Sequence, residues 1–272
     1  MGRQGQDEGL PGAETGAGGQ RPPLAQLAAR LAAAAPEELP DLIRLLEGDP
    51  RVGARGLLAR ARRRWARWQG ARRRWAELTA AQEQAAGGLL AAGVDEVGRG
   101  CLAGPVVAAA VILPRGADLP GLDDSKRLTP TAREKLAARV RRQALAWAVG
   151  LATPAEIDAL NIARATRLAM RRALDALPVA PQRVLVDGRP PGDLGYPLEA
   201  LVDGDARLAA IAAASVVAKV FRDGWMARLD AVYPGYGFAQ HKGYATAAHR
   251  DALARLGPCP EHRRSFLGGA DR

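Results

Sequence analysis

Apolar residues in the first third of the chain recur three and four apart, whereas beyond residue 89 they also gather into short solid blocks. The first period is that of helices with one buried face, and the blocks are those of strands. "LAQLAARLAAAA", "APEELPDLIRLLEGDPR" and "VGARGLLARARRRWARWQGARRRWAELTAAQEQAA" predict helices from Pro23 to about Gly88. Pro36 and Pro40 suit a first helical turn, and Asp49-Pro50 marks a break. Beyond Leu89, strands are predicted at 92–96, 105–114, 144–153 and 183–187, with a weaker one at 198–202. Helices are predicted at 131–142, 154–159, 162–177, 205–232 and 246–256. "RLAAIAAASVVAKVFRDGWMARLDAVY" is apolar around much of its circumference and is expected to pack on the sheet. Two adjacent strands, a third, then helices and further strands describe an α/β sheet of mixed direction. The expected division is a disordered tail at 1–23, a helical Arg/Trp-rich extension at 24–88, and a main domain at 89–272.

Composition narrows the class. The 272 residues are 48% apolar and 25% charged, enough for a sizeable core. No apolar run reaches the ~18 residues of a membrane span. The first residues lack the apolar stretch of a signal peptide. Cys101 and Cys259 make no disulfide framework, and no Cys/His spacing suggests zinc. A soluble, cytoplasmic protein is expected, a monomer by default and without a membrane partner. The net charge of +10 suggests a polyanion as partner. Of 39 basic residues only Lys126, Lys135, Lys219 and Lys242 are lysines, so each stands out against an Arg-rich background. Residues 51–75 hold ten Arg and no acid, interleaved with Trp65, Trp68 and Trp75. That segment reads equally as a basic, aromatic grip on nucleic acid or as a long helix with Trp packed and Arg in solvent.

The chemistry lies in acids at strand ends beside glycines. Asp95 and Glu96 sit in the first strand, just before Gly98-Arg99-Gly100. Asp187 closes "RVLVDG", and Asp205 follows Asp203-Gly204 ahead of the long helix. A carboxylate ending a buried strand is costly unless paired or metal-bound, and several together repel one another. A hard divalent cation, Mg²⁺ or Mn²⁺, relieves both problems. Turn residues for Asp187 and Asp203, and a helix N-cap for Asp205, are the plain alternatives. Neighbours in a regular strand face opposite ways, so Asp95 and Glu96 share a metal only if the strand is distorted or Glu96 acts from its edge.

"GVDEVGRGCLAGPVVAAAVILP", "LDDSKRLT", "LVDG", "GDARLAAIAAASVVAKVFRD" and "YGFAQHKGYAT..H", in this order, resemble bacterial ribonuclease HII from residue 89 to "HRRSF" near 266. The first and fourth blocks are the most specific. The "DPR" segment before a Trp-containing helix is similar to the extension of some bacterial members. The resemblance implies a ribonuclease H-like fold: a mixed five-stranded sheet flanked by helices, with a helical C-terminal part. It implies endonucleolytic cleavage of RNA in RNA–DNA hybrids and of single ribonucleotides embedded in duplex DNA. It assigns the metal-holding, catalytic acids to Asp95, Glu96, Asp187 and Asp205. Gly98, Arg99 and Gly100 become the turn that senses the ribose 2′-hydroxyl. Tyr244 becomes the ring beside the sugar on the DNA side, and Lys126, Ser215 and Lys219 join the substrate contacts. Cys101 departs from the family, which more often has Pro after the turn.

Two cations held by four acids can activate a water on one side of a phosphodiester and stabilise the leaving oxygen on the other. Asp95 is expected to bridge them, with cleavage 5′ of a ribonucleotide giving 3′-hydroxyl and 5′-phosphate ends. Backbone groups of a glycine turn can approach a 2′-hydroxyl, which separates RNA from DNA. His241, His249 and His262 are expected to be structural. The rival readings are another metal nuclease of the same fold, and a nucleic-acid-binding protein without catalysis.

Overall fold

The computed structural model describes residues 21–123, 125 and 128–268. Residues 1–20 of the expected tail, and Lys126, lie outside the described residues. By packing, the chain divides into two compact units, Met1–Arg67 and Trp68–Arg272.

The first unit is built from α1 (Leu24–Ala33), a 3-10 turn at Pro36–Glu38, α2 (Leu39–Glu47) and the start of α3 (Val52–Ala86). Leu27 and Leu31, four apart, meet Leu39, Leu42 and Leu46 of α2 and Ala54, Leu57 and Ala61 of α3 in one small core. Arg64 donates to the carbonyls of Leu31 and Ala34 at the C-terminal end of α1, where the helix leaves acceptors open. Trp65 packs against this core, while Arg55, Arg60, Arg62, Arg63 and Arg67 are exposed.

In the second unit β1 (Ala91–Val97), β2 (Val106–Ile112), β3 (Ala146–Ala152), β4 (Arg183–Asp187) and β5 (Leu198–Leu201) form one sheet in the order β3-β2-β1-β4-β5. β1 runs antiparallel to β2 and parallel to β4, so the sheet is mixed as expected. β2 reads "VVAAAVI" and every residue of it is buried. Val107, Ala109 and Val111 enter the core under α4 (Pro130–Gln143) and α7 (Ala209–Val232). Their neighbours Val106, Ala108, Ala110 and Ile112 enter the opposite core, under α5 (Pro154–Leu160) and α6 (Ile162–Asp175). A strand covered on both faces loses the apolar/polar alternation, which is why this run is solid in the sequence. Thr129, Thr153 and Asn161 cap α4, α5 and α6 by accepting from first-turn amides. Met226, Tyr236, Phe238, Ala252 and Cys259 close a smaller C-terminal core with α8 (Phe238–His241) and α9 (Ala247–Leu256).

Two details differ from expectation. Trp75 and Leu78 of α3 are buried in the core with α4 and α7, so packing divides the chain inside α3 rather than near residue 88. The predicted helix at 205–232 is broken: Gly204–Ala206 forms a separate 3-10 turn and α7 starts at Ala209. Asp203 in the left-handed region, at φ 55°, turns the chain there. Leu208, not Asp205, holds the N-cap position of α7.

Candidate active site

Gly93 brings the first acid into place. A Cβ there would overlap the backbone of Ala210 and Ile211, so only glycine lets α7 lie this close on β1. Two strand residues advance ~6.6 Å and four helical residues ~6 Å, so position 95 falls opposite position 215. The Ser215 side chain faces Asp95 closely enough to oppose the rise of its pKa, and its hydroxyl donates to the Ser125 hydroxyl at 3.0 Å. The Glu96 amide donates to Asp95 Oδ1 at 2.7 Å.

Asp187 ends β4, beside β1 in the parallel pair, and so opens at the same edge of the sheet. Its Oδ1 accepts from the amides of Gly204 at 2.6 Å and Asp205 at 3.3 Å, which pins the 3-10 turn to the strand end. Asp187 is thus a turn-stabilising residue and a member of the acidic cluster at once. One carboxylate oxygen from each of Asp95, Asp187 and Asp205 lies within 4.8 Å of the others. Asp95 is only 7% exposed and Asp205 5%. Burial, and then the charges of Glu96 and Asp187, push the Asp95 carboxyl well above the usual range, against the lowering effect of Ser215. Hard oxygen donors, crowded and partly withheld from water, suit a divalent cation.

Glu96 is not one of the three. Asp95 follows Gly93 on the α7 face, so strand alternation turns Glu96 to the other side. Its carboxylate lies 3.2 Å from the Arg99 guanidinium. Burial raises the Glu96 carboxyl and the Arg99 side chain opposes that shift.

Gly98, Arg99 and Gly100 follow β1 as a turn, with Gly98 at φ 90°. Tyr244, 42% exposed, is tied to this loop by the hydrogen bond from the Leu102 amide to the Gly243 carbonyl at 2.8 Å. It neighbours the Cys101 thiol, whose pKa burial pushes up against the influence of Arg222 and Arg263. Lys219 pairs with Asp223 one turn along α7 at 2.6 Å.

Sequence reasoning passed over two arginines here. Arg222 and Arg263 are fully buried around the turn. The signal for Arg222 is its place on a buried stripe of α7, in line with Ile211, Ser215, Ala218 and Met226. Arg263 left no such signal. The histidines, scattered in sequence, stack together: His241 and His249 lie 4.2 Å apart ring to ring. The Cys259 amide donates to His262 Nδ1 at 3.1 Å, so the proton of neutral His262 sits on Nε2 and donates to His249 Nε2 at 3.1 Å. His249 Nδ1–H then donates to the Tyr244 carbonyl at 2.9 Å. The chain of bonds is complete with each ring neutral, and burial holds His262 down to about 4.

A family model described as ribonuclease HII matches residues 92–268. The chain belongs to the ribonuclease HII family. The ribonuclease HII of Syntrophotalea carbinolica is 59% identical over 177 residues, 65% of this chain and 85% of its own length. That of Geobacillus kaustophilus is 53% identical over 225 residues, 82% of this chain and 86% of its own. A 225-residue match is longer than the stretch 89–272, so it takes in part of the N-terminal helices. The crystal structure of ribonuclease H2 from Pyrococcus horikoshii OT3 superposes with a TM-score of 0.56 at 29% identity, covering 65% of this chain and 93% of that one. Membership makes the protein a hydrolytic nuclease, an endonuclease acting on RNA–DNA hybrids. Among the described residues no helix is long and apolar enough to cross a membrane.

Proposed function

We propose that this ribonuclease HII family member cuts 5′ of ribonucleotides in duplex DNA, including a single embedded one, and leaves 3′-hydroxyl and 5′-phosphate ends. The observation that carries the reading is the crowding of Asp95, Asp187 and Asp205, with oxygens within 4.8 Å, at the sheet edge from which the Gly98–Gly100 turn springs. Asp95, Asp187 and Asp205 would hold Mg²⁺ or Mn²⁺, with Glu96 contributing from the strand end. Glu96 is near enough that its charge is the second cause of the upward shift at Asp95. When bound, two cations supply an activated water and charge stabilisation at the leaving oxygen.

The chain's own residues do the rest. Ser215, beside Asp95, favours the charged form of its carboxylate. The turn reads the sugar: nothing lies within 4 Å of a Cβ built on Gly100, so no packing inside the fold demands glycine there. A close substrate does supply a reason. The exposed Tyr244 ring packs beside the deoxyribose that follows and disfavours an extra hydroxyl on it. Lys219 exchanges its partner Asp223 for a substrate phosphate, and Lys126 is the other lysine proposed to contact phosphate.

One incubation tests the reading: labelled duplex DNA carrying a single ribonucleotide, with Mg²⁺, Mn²⁺ or chelator. Cutting on the 5′ side in metal and none in chelator is expected. Equal cutting of the all-DNA duplex would favour a different nuclease, and folded protein that cuts in neither metal would overturn the proposal.

A further inference from the structure

Two arginines that the chemistry above leaves unused hold the loop between β1 and β2. Arg222 and Arg263 are both 0% exposed, and among the described residues neither meets a carboxylate. A buried charge without a counter-charge is expensive, and if packing were the only need an apolar side chain would serve better. Their donors converge instead on main-chain oxygens of one loop. Arg263 donates to the carbonyls of Gly98 at 2.6 Å, Arg99 at 2.8 Å and Gly104 at 2.8 Å and 3.0 Å. Arg222 donates to Pro105 at 2.9 Å, Ala103 at 3.1 Å and, across the gap, Lys242 at 2.9 Å. A Cβ on Gly98 would overlap the Arg222 guanidinium, so the turn lies directly on that side chain. The Phe266 ring covers the Arg263 guanidinium at 5.2 Å.

Peptide geometry turns this clamp into a functional device. In a trans peptide the carbonyl oxygen and the amide hydrogen point in opposite directions. Drawing the Gly98 carbonyl in towards Arg263 therefore turns the Arg99 amide outward, and drawing in the Arg99 carbonyl does the same for the Gly100 amide. Among the described residues neither amide donates to any acceptor. Arg222 extends the clamp to Lys242, two residues before Tyr244, so the turn and the ring are set against each other by the same buried charges.

We propose that Arg263, supported by Arg222, is a positioning residue for sugar recognition: it holds the Gly98 and Arg99 carbonyls inward so that the amides of Arg99 and Gly100 face the ribose 2′-hydroxyl. The inference rests on the reading of the turn as the sugar reader. It assigns a role in specificity to a side chain that touches neither substrate nor metal.

The test uses Arg263→Lys, which keeps the charge but loses the fork of donors, and Phe266→Ala, which removes the ring over the guanidinium and leaves every hydrogen bond possible. Single-turnover and steady-state cleavage are measured on a duplex with one ribonucleotide and on the same duplex with a 2′-fluoro-2′-deoxynucleotide at that position. Melting temperature with and without Mn²⁺ reports the folded fraction and the acidic cluster. Arg263→Lys should lower kcat on the ribonucleotide about 10- to 100-fold, the usual scale for a misplaced catalytic contact. KM and the Mn²⁺-induced rise in melting temperature should change little, and the ribo-to-fluoro rate ratio should fall. Phe266→Ala should move the ratio the same way by less. An unchanged ratio in both variants, with rates that follow the folded fraction, would reduce the arginines to packing and overturn the inference. A wild-type protein that cut both duplexes at one rate would instead remove the sugar-reading role of the turn itself.

Discussion

Replacing Asp95 with Asn should make the metal-free protein more stable, not less. Asp95 is nearly sealed from water, and its oxygens lie within 4.8 Å of those of Asp187 and Asp205. Two full charges at that separation repel by roughly 3 kcal/mol at an effective dielectric of about 20. The native carboxyl escapes part of this by holding a proton, as its raised pKa indicates. The relief on substitution is therefore a fraction of the bare repulsion, about 1–3 kcal/mol. An amide keeps the shape, its oxygen can still accept from the Glu96 amide, and its NH₂ can donate to the neighbouring acids. For a chain of this size that is a gain on the order of 5 °C in melting temperature. The gain has a pH signature. A carboxyl whose folded pKa lies above its unfolded value favours folding at low pH, and that advantage is lost as pH rises through the folded value. The difference between Asn and Asp should therefore widen from acid to alkaline pH. Thermal melts in chelator and in Mn²⁺, across pH 5 to 9, are the assay. The variant should also lose the stabilisation by Mn²⁺ and all cleavage. A lower melting temperature in chelator at pH 8, or undiminished stabilisation by Mn²⁺, would refute the crowding argument.

Two other outcomes follow from the packing. His262 is expected to stay neutral far below its usual pKa, because burial and then His249 oppose its charge. The unfolded chain takes up that proton near pH 6.5, so stability is complete above 6.5 and on the order of 2–3 kcal/mol is lost as pH falls towards about 4. An NMR titration of the His262 ring checks this, and a midpoint near 6.5 would contradict it. Deleting residues 1–88 removes Trp75 and Leu78 from the core beneath α7, whereas deleting 1–67 leaves them in place. The longer deletion should cost about 3–5 kcal/mol or abolish folding. The shorter should keep the catalytic unit folded and weaken substrate binding in a salt-dependent way, since it removes the exposed Arg55, Arg60, Arg62, Arg63 and Arg67. Equal melting temperatures for the two truncated chains would show that α3 contributes nothing to that core.

The period of the apolar residues by itself determined where the strands lie. β2 is covered on both faces, and a strand so placed must be apolar throughout. The acids were legible for a related reason: a carboxylate at the end of such a strand needs a partner, and Asp95 and Asp187 both close runs of buried residues. What a linear pattern could not supply was distance between segments. Only the parallel pairing of β1 with β4 sets Asp187 beside Asp95, and only the 3-10 turn at Gly204–Ala206 detaches Asp205 from α7 and swings its carboxylate inward. Arg263 was illegible because its partners are main-chain oxygens more than 150 residues away, and backbone carbonyls look alike in every sequence. Side-chain chemistry is written along the chain, but the direction in which each group points is settled by packing.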